Sequence, residues 1–261
     1  MSNRITLGCP LFDIALGGGI AYRYLTEIVG ESGVGKTQIC LQLALNVQIP
    51  SSVGGLSSSA LYIQTDLPFP SRRLDQLQAS FIQKYNGLIQ HNTVDKIYVQ
   101  KIESASDFLV ELPRIQTLVA ASTTQSMPIK LIVIDCVASF FRTYYENNPT
   151  DMRRRAEHMY EITDKLKEWA RIFNLSVVLV NQIINFIPSH YGIGRWEGLT
   201  TSGRKVCPAL RPTWNRCIGN RIFLARDIED KRHVQPSLGI HFPMGRCEYI
   251  IVREGVFGVF S

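Results

Sequence analysis

Short apolar runs rich in β-branched residues recur along the chain. They are LTEIV (25–29), ALYIQ (60–64), KIYVQ (96–100), KLIVID (130–135), LSVVLV (175–180) and RIFLA (221–225). Nearly continuous apolar runs of this kind mark strands buried on both faces. Between them lie segments with a helical period. One runs from Thr37 to Val47, and another, 71–85, puts Leu74, Leu77, Phe81 and Tyr85 on one face. The clearest, 151–173, aligns Met152, Met159, Leu166 and Phe173 with Ala156, Trp169 and Ala170. This alternation predicts an α/β fold with a mostly parallel central sheet flanked by helices. The tail, CEYIIV (247–252) followed by REG and VFGVF, predicts a C-terminal antiparallel hairpin turning at Glu254-Gly255. Two stretches lack periodicity. SSVGGLSSS (51–59) is a short polar connection. IINFIPSHYGIGRWEGLTTSGRKVCPALRP (183–212) is far longer than the roughly 12–15 residues at which a structureless loop becomes unusual, so it is a functional loop, a disordered insertion, or a sign that the elements assigned here are misplaced.

The composition fits a folded chain: 261 residues, 45% hydrophobic and 19% charged, enough to bury a core without disulfides or metals. Cys9, Cys40, Cys136, Cys207, Cys217 and Cys247 are scattered with no CxxC pair, which favours reduced structural thiols over zinc ligation or disulfides. No N-terminal run resembles a signal peptide, and none approaches the roughly 18 apolar residues of a membrane span. A soluble, intracellular protein with no membrane partner is expected. The net charge of +6 suits an acidic partner such as nucleic acid, provided that the charges cluster beside a suitable loop.

One motif carries defined chemistry. GESGVGKT (Gly30, Glu31, Ser32, Gly33, Val34, Gly35, Lys36, Thr37) follows a predicted strand and opens a predicted helix, which is the context the GxxxxGK[ST] phosphate loop requires. Its glycines let the backbone curl so that N–H groups point at phosphate oxygens, and the helix N-terminus faces the same anion. Lys36 is the expected β- and γ-phosphate contact, and Thr37 the expected Mg2+ ligand. Gln38 completes the local ATP-binding set. LIVID seats a buried strand from whose end Asp135 emerges, where it can hold Mg2+ through water. VVLVNQ ends in Asn181 and Gln182. Gln182 can contact a γ-phosphate and report its presence to the following loop, with turn capping by Asn181 as the bland alternative. YIQTDLPFP (62–70) leaves a carboxylate, Asp66, at the end of another strand, as a catalytic group or a plain strand terminus.

Together these pieces resemble the RecA/Rad recombinase family of DNA-repair ATPases. The likeness runs through TLGCPLFDIALGGGI, GESGVGKTQICLQL, YIQTDLPFPSRRL, LIVIDCVASFFR, VVLVNQI and PALRPTWNRCIGNRIFLAR, and VQIPSSVGGLSSSALYIQTDLPFPSRRLDQL resembles the family's paralogues most. The resemblance implies a RecA-like core with ATP and Mg2+ at subunit interfaces, Arg73 over the adenine, and Pro243 capping a neighbour's nucleotide in trans. It also implies two disordered DNA-binding loops. The first follows CVASFFR, where Arg153, Arg154 and Arg155 open the long helix and oppose its dipole, so phosphate contact is a reason for them beside a solvated helix start. The second is 183–212, where Arg195, Arg204, Lys205 and Arg211 interleave with Phe186, Tyr191 and Trp196, a combination that can track a single strand.

The chain also departs from the family pattern. The match begins at residue 6, so a single RecA-like ATPase domain over 1–261 is expected, without the family's N-terminal helical domain or its Phe-x-x-Ala linker. Where recombinases carry a glutamate that orients the attacking water, this chain has Asp66, one methylene shorter and followed by Leu67 and Pro68. The resemblance therefore implies a paralogue that binds ATP·Mg2+, hydrolyses it slowly as a weak DNA-dependent ATPase, and works in the nucleus. It would act in a hetero-oligomer with a second recombinase paralogue of the C type, on single-stranded or branched DNA, assisting the main recombinase in homologous recombination and double-strand-break repair. Two alternatives stand beside it: a strand-exchange recombinase forming homo-filaments, and a structural subunit that never turns ATP over.

Overall fold

In a computed structural model the described residues are 4–89, 92–142, 145–146, 148–187, 198–239, 242–243 and 245–260. Nine strands among them form one sheet. Six run parallel, in the spatial order β11 (Asn220–Arg226), β3 (Leu25–Gly30), β7 (Ser176–Asn181), β6 (Ile129–Asp135), β4 (Ser59–Gln64) and β5 (Ile97–Lys101). Beyond β11 the sheet continues antiparallel through β12 (Arg232–Leu238), β13 (Cys247–Val252) and β14 (Gly255–Val259). The six apolar runs thus occupy the six parallel positions, and the C-terminal hairpin is β13–β14.

Period-two alternation within each strand sends side chains to opposite faces. Tyr62 of β4, Val133 of β6 and Val178 of β7 face a core shared with α2 (Lys36–Asn46) and α3 (Ser71–Lys84). Their neighbours Ile63, Ile132 and Val177 face a second core with α4 (Ala105–Ser122) and α6 (Pro149–Ile172). Both faces of these strands are buried, and this explains why they read as continuous apolar runs. The helices α3 and α6 bury the predicted faces through Leu74, Leu77 and Phe81, and through Met159, Leu166, Trp169 and Ala170.

Several elements differ from the sequence expectation. The helix α4 was not predicted, although Ser104 caps it by accepting from the Asp107 N–H at 3.0 Å, and Phe108, Leu112, Ile115 and Val119 form its buried stripe. An internal proline, Pro113, masks the pattern, yet it sits on the exposed side of the helix. The strand β12 also went unread, because Pro236 and the polar Arg232, His233 and Gln235 leave it no apolar run.

The helix α6 begins at Pro149, earlier than the predicted residue 151. Asn148 caps it and Asp151 lies in its first turn. Arg153, Arg154 and Arg155 therefore follow a first turn that already carries an acid, and the expectation that they open the helix against its dipole is corrected. Met152 is exposed because this end projects past the core.

The stretch 183–212 is not structureless. It contains β8 (Ile183–Asn185), β9 (Thr200–Thr201) and β10 (Arg204–Pro208), paired antiparallel in the order β8-β10-β9. Its strands are only two to five residues long and half-exposed, too short to show a period. Residues 188–197, including Tyr191, Arg195 and Trp196, lie outside the described residues.

Candidate nucleotide site

Because β3, β4, β6 and β7 are parallel, the phosphate loop, Asp66, Asp135 and Gln182 all emerge at one edge of the sheet, where open α/β sheets hold ligands. They line a cleft of about 970 Å³. The cleft is bounded by Gly30–Gly33 and Gly35–Gln38 on one side and by Asp66–Pro70 with Arg73 on another.

The loop leaves β3 at Gly30, where a Cβ would lie 2.4 Å from the Leu224 carbonyl oxygen of β11, so only glycine lets these strands close. Gly35 adopts φ +108° at the start of α2, and a Cβ there would strike Ile251 of β13 at 2.6 Å. Val34 alone of the motif points away, fully buried, with its carbonyl accepting from the Tyr249 hydroxyl at 2.6 Å. The Lys36 ammonium donates to the carbonyls of Gly30 (2.8 Å) and Glu31 (2.7 Å). Burial pulls its pKa below the ordinary lysine value, and nearby Cys136, Asp135 and Glu31 pull against that shift.

The Thr37 hydroxyl donates to Oδ2 of Asp135 at 2.7 Å, and the buried Tyr62 hydroxyl donates to the same oxygen at 2.7 Å. Burial first, and then the neighbouring Asp135, hold the Tyr62 phenol well above its ordinary pKa, so it stays a donor. A hydroxyl beside a carboxylate at the phosphate loop is the all-oxygen donor set that Mg2+ takes, with the remaining positions filled by phosphate and water. The residues fit ATP·Mg2+: glycine cradles for phosphate, a buried ammonium, and oxygen donors for the cation.

The other predicted residues divide into groups. Asp66 lies exposed on the cleft wall, with the Ser139 hydroxyl 3.5 Å away. Its position is set by Thr65, which is tied to the backbone of Cys136 at 2.8 and 3.0 Å. Gln182 lines the cleft and accepts from Arg142. Arg73 lines the cleft too, but its guanidinium clips α3 to the C-terminal hairpin. It donates to Gln38, to the Val252 carbonyl at 2.6 Å and to the Arg253 carbonyl at 2.8 Å. Pro243 is exposed on the connection between β12 and β13.

The basic residues are dispersed. Arg153 is exposed and pairs with Glu157 at 2.9 Å, Arg154 is exposed, and Arg155 is half-buried. Lys205 is exposed on β10 and Arg211 half-buried beyond it. Arg204 of β10 joins the nucleotide cleft: it pairs with Glu31 of the phosphate loop at 3.0 Å, and the Ser202 hydroxyl donates to the same carboxylate at 3.0 Å.

Sequence reasoning missed three participants. Tyr62 was read only as a strand residue; its period-two partnership with Gln64 on the cleft-facing side was the available signal. Arg226 donates to the Gly33 carbonyl at 2.9 Å and lies 3.7 Å from Glu31, bracing the loop from β11. Arg232 of β12 lines the cleft, and its Nε finds no partner among the described residues. No sequence motif marks these two.

The sheet order, the phosphate loop and the Thr37–Asp135 pair define a RecA-like P-loop nucleotide-binding protein. The chain belongs to the Rad51 family, whose pattern (Rad51) matches residues 2–192. Members of that family are ATPases that use Mg2+. Among similar proteins is the "DNA repair protein XRCC3 homolog" of Arabidopsis thaliana, 37% identical over an alignment of 286 positions that covers 99% of this chain and 94% of the relative. "DNA repair protein XRCC3" of Bos taurus is 31% identical, covering 98% of this chain and 75% of its own. That of Mus musculus is 30% identical, with 98% and 76% covered. The expected family and its RecA-like fold are borne out.

Proposed function

We propose that this chain is an ATP-binding, slowly hydrolysing recombinase paralogue in homologous-recombination repair, as its likeness to relatives named for DNA repair suggests. The observation that carries the reading is the Thr37–Asp135 pair at 2.7 Å beside a glycine-cradled loop. Lys36 and the loop N–H groups hold the β- and γ-phosphates, and Thr37 and Asp135 hold Mg2+, which supplies charge neutralisation at the phosphoryl group. Gln182 senses the γ-phosphate. Arg73 positions the base side of the cleft through the hairpin it clips.

Asp66 is the water-orienting carboxylate, and its shortness makes turnover slow. The side chain stops one methylene short of a glutamate's reach, and a displacement of about 1 Å at a reacting group costs on the order of 100-fold. The remaining assignments follow the family. ATP sits between subunits with Pro243 near a neighbour's nucleotide, the partner is a second paralogue of the C type, and the site of action is the nucleus. Arg153–Arg155, Lys205 and Arg211, with Arg195, contact DNA. Arg204 divides its time between Glu31 and DNA phosphate.

The test is ATP turnover by the full chain, alone and with single-stranded DNA. Asp66→Glu is expected to raise the rate toward roughly 100-fold, and Asp66→Asn to abolish it. Rates indifferent to both substitutions would remove Asp66 from the chemistry.

A further inference from the structure

Glu27 is an acidic residue in the middle of β3, fully buried, and it does not line the cleft. Three side-chain donors satisfy it. Arg221, its register partner on β11, donates Nε to Oε2 in a buried ion pair. On the other oxygen, Oε1 accepts from the Trp214 indole at 2.7 Å and from Asn181 Nδ2 at 2.6 Å. A buried ion pair is costly to form, and an apolar pair of the same volume would often stabilise the fold as well or better. Stability alone therefore does not explain this carboxylate.

Its effect on Asn181 does. Asn181 ends β7, immediately before Gln182, and is fully buried. Its Nδ2 meets two groups that can only accept, the Glu27 carboxylate and the Ala209 carbonyl at 3.2 Å. Those contacts leave the amide one orientation, with Oδ1 on the other side. There Oδ1 accepts the Gln182 N–H at 2.8 Å, while the Gln182 carbonyl accepts from the Ala209 N–H at 2.8 Å. The backbone of Gln182 is thus gripped from both sides where its side chain enters the cleft, and Ala209 ties the same point to the end of β10.

We propose that Glu27 is a positioning residue for Gln182, acting through the amide of Asn181. The proposal rests on the reading of Gln182 as a γ-phosphate contact. A glutamine at 27 would face donors on both sides with only one acceptor oxygen. If its NH2 met Asn181, that amide would turn over and present a donor to the Gln182 N–H, which releases the grip. A group placed this way governs the response to the third phosphate without touching a nucleotide.

The experiment titrates ADP and ATPγS, each with Mg2+, onto the full chain as wild type, Glu27→Gln and Asn181→Ala. The wild type is expected to prefer ATPγS. Both variants should keep their ADP affinity within about twofold and lose roughly tenfold in ATPγS affinity, the scale of one hydrogen bond to a charged group. A preference retained in both variants, or an equal loss for both nucleotides, would overturn the positioning role. A wild type that binds both nucleotides equally would instead overturn the Gln182 reading, and the positioning role with it. If neither variant folds, amide exchange at Gln182 in the unmodified chain decides. Exchange as slow as that of the β7 core supports the grip, and exchange at an open-loop rate refutes it.

Discussion

Asp135 shows how little of a site's chemistry resides in the motif that announces it. The sequence marks it as a strand-end acid, and the structure adds that Tyr62 and Thr37 both donate to one of its oxygens. That arrangement aims the other oxygen and fixes the carboxylate's rotamer, the role that outer-shell partners play around metals. Tyr62→Phe keeps the ring packed against Phe69 and removes only the donor. ATP binding by this variant should need roughly 10- to 100-fold more Mg2+, read from a Mg2+ titration at fixed nucleotide. An unchanged Mg2+ midpoint would show that Thr37 alone orients the carboxylate. At this scale the sequence marked the residues proposed to serve ligand chemistry directly, Lys36, Thr37 and Asp135. It was silent where a residue serves another side chain, because a hydroxyl aimed from a neighbouring strand leaves no mark in local pattern.

The elements most easily read were those buried on both sides. Solvent exclusion makes β3, β4, β6 and β7 continuous in apolar character, and their parallel order carries the phosphate loop and three polar strand ends to one edge. The elements least easily read are short and half-exposed, and the β8–β10–β9 ribbon is the clearest case. It is not an isolated loop, for Ile183, Ile184, Asn185 and Arg204 form one wall of the nucleotide cleft. Glu31 of the phosphate loop holds it through Ser202 and Arg204. A single exposed ion pair contributes little, but Arg226 and Ser202 make this one part of a network. Arg204→Glu sets like charges together at that joint. Amide exchange over 200–206 should then accelerate about tenfold, and Glu31→Arg in the same chain should restore it. Exchange that ignores both substitutions would mean that β-pairing alone holds the ribbon.

For the whole molecule, the consequence of the sheet's two-sided burial is a rigid frame on which one edge is specialised. The helices α2 and α3 on one face and α4 and α6 on the other leave the strand ends at that edge to bind, while β11–β14 extend the sheet so that Tyr249 and Ile251 brace the phosphate loop. No helix among the described residues is long and apolar enough to cross a membrane. The central claim is that this frame holds ATP·Mg2+ through the loop at the end of β3. Equilibrium binding of ATP to the full chain, with and without Mg2+, for the wild type and Lys36→Ala, tests it most directly. The account predicts saturable, Mg2+-dependent binding that Lys36→Ala weakens by roughly 30-fold or more, the loss of a buried charge-assisted contact. Equal affinity in the two proteins, or binding indifferent to Mg2+, would contradict it.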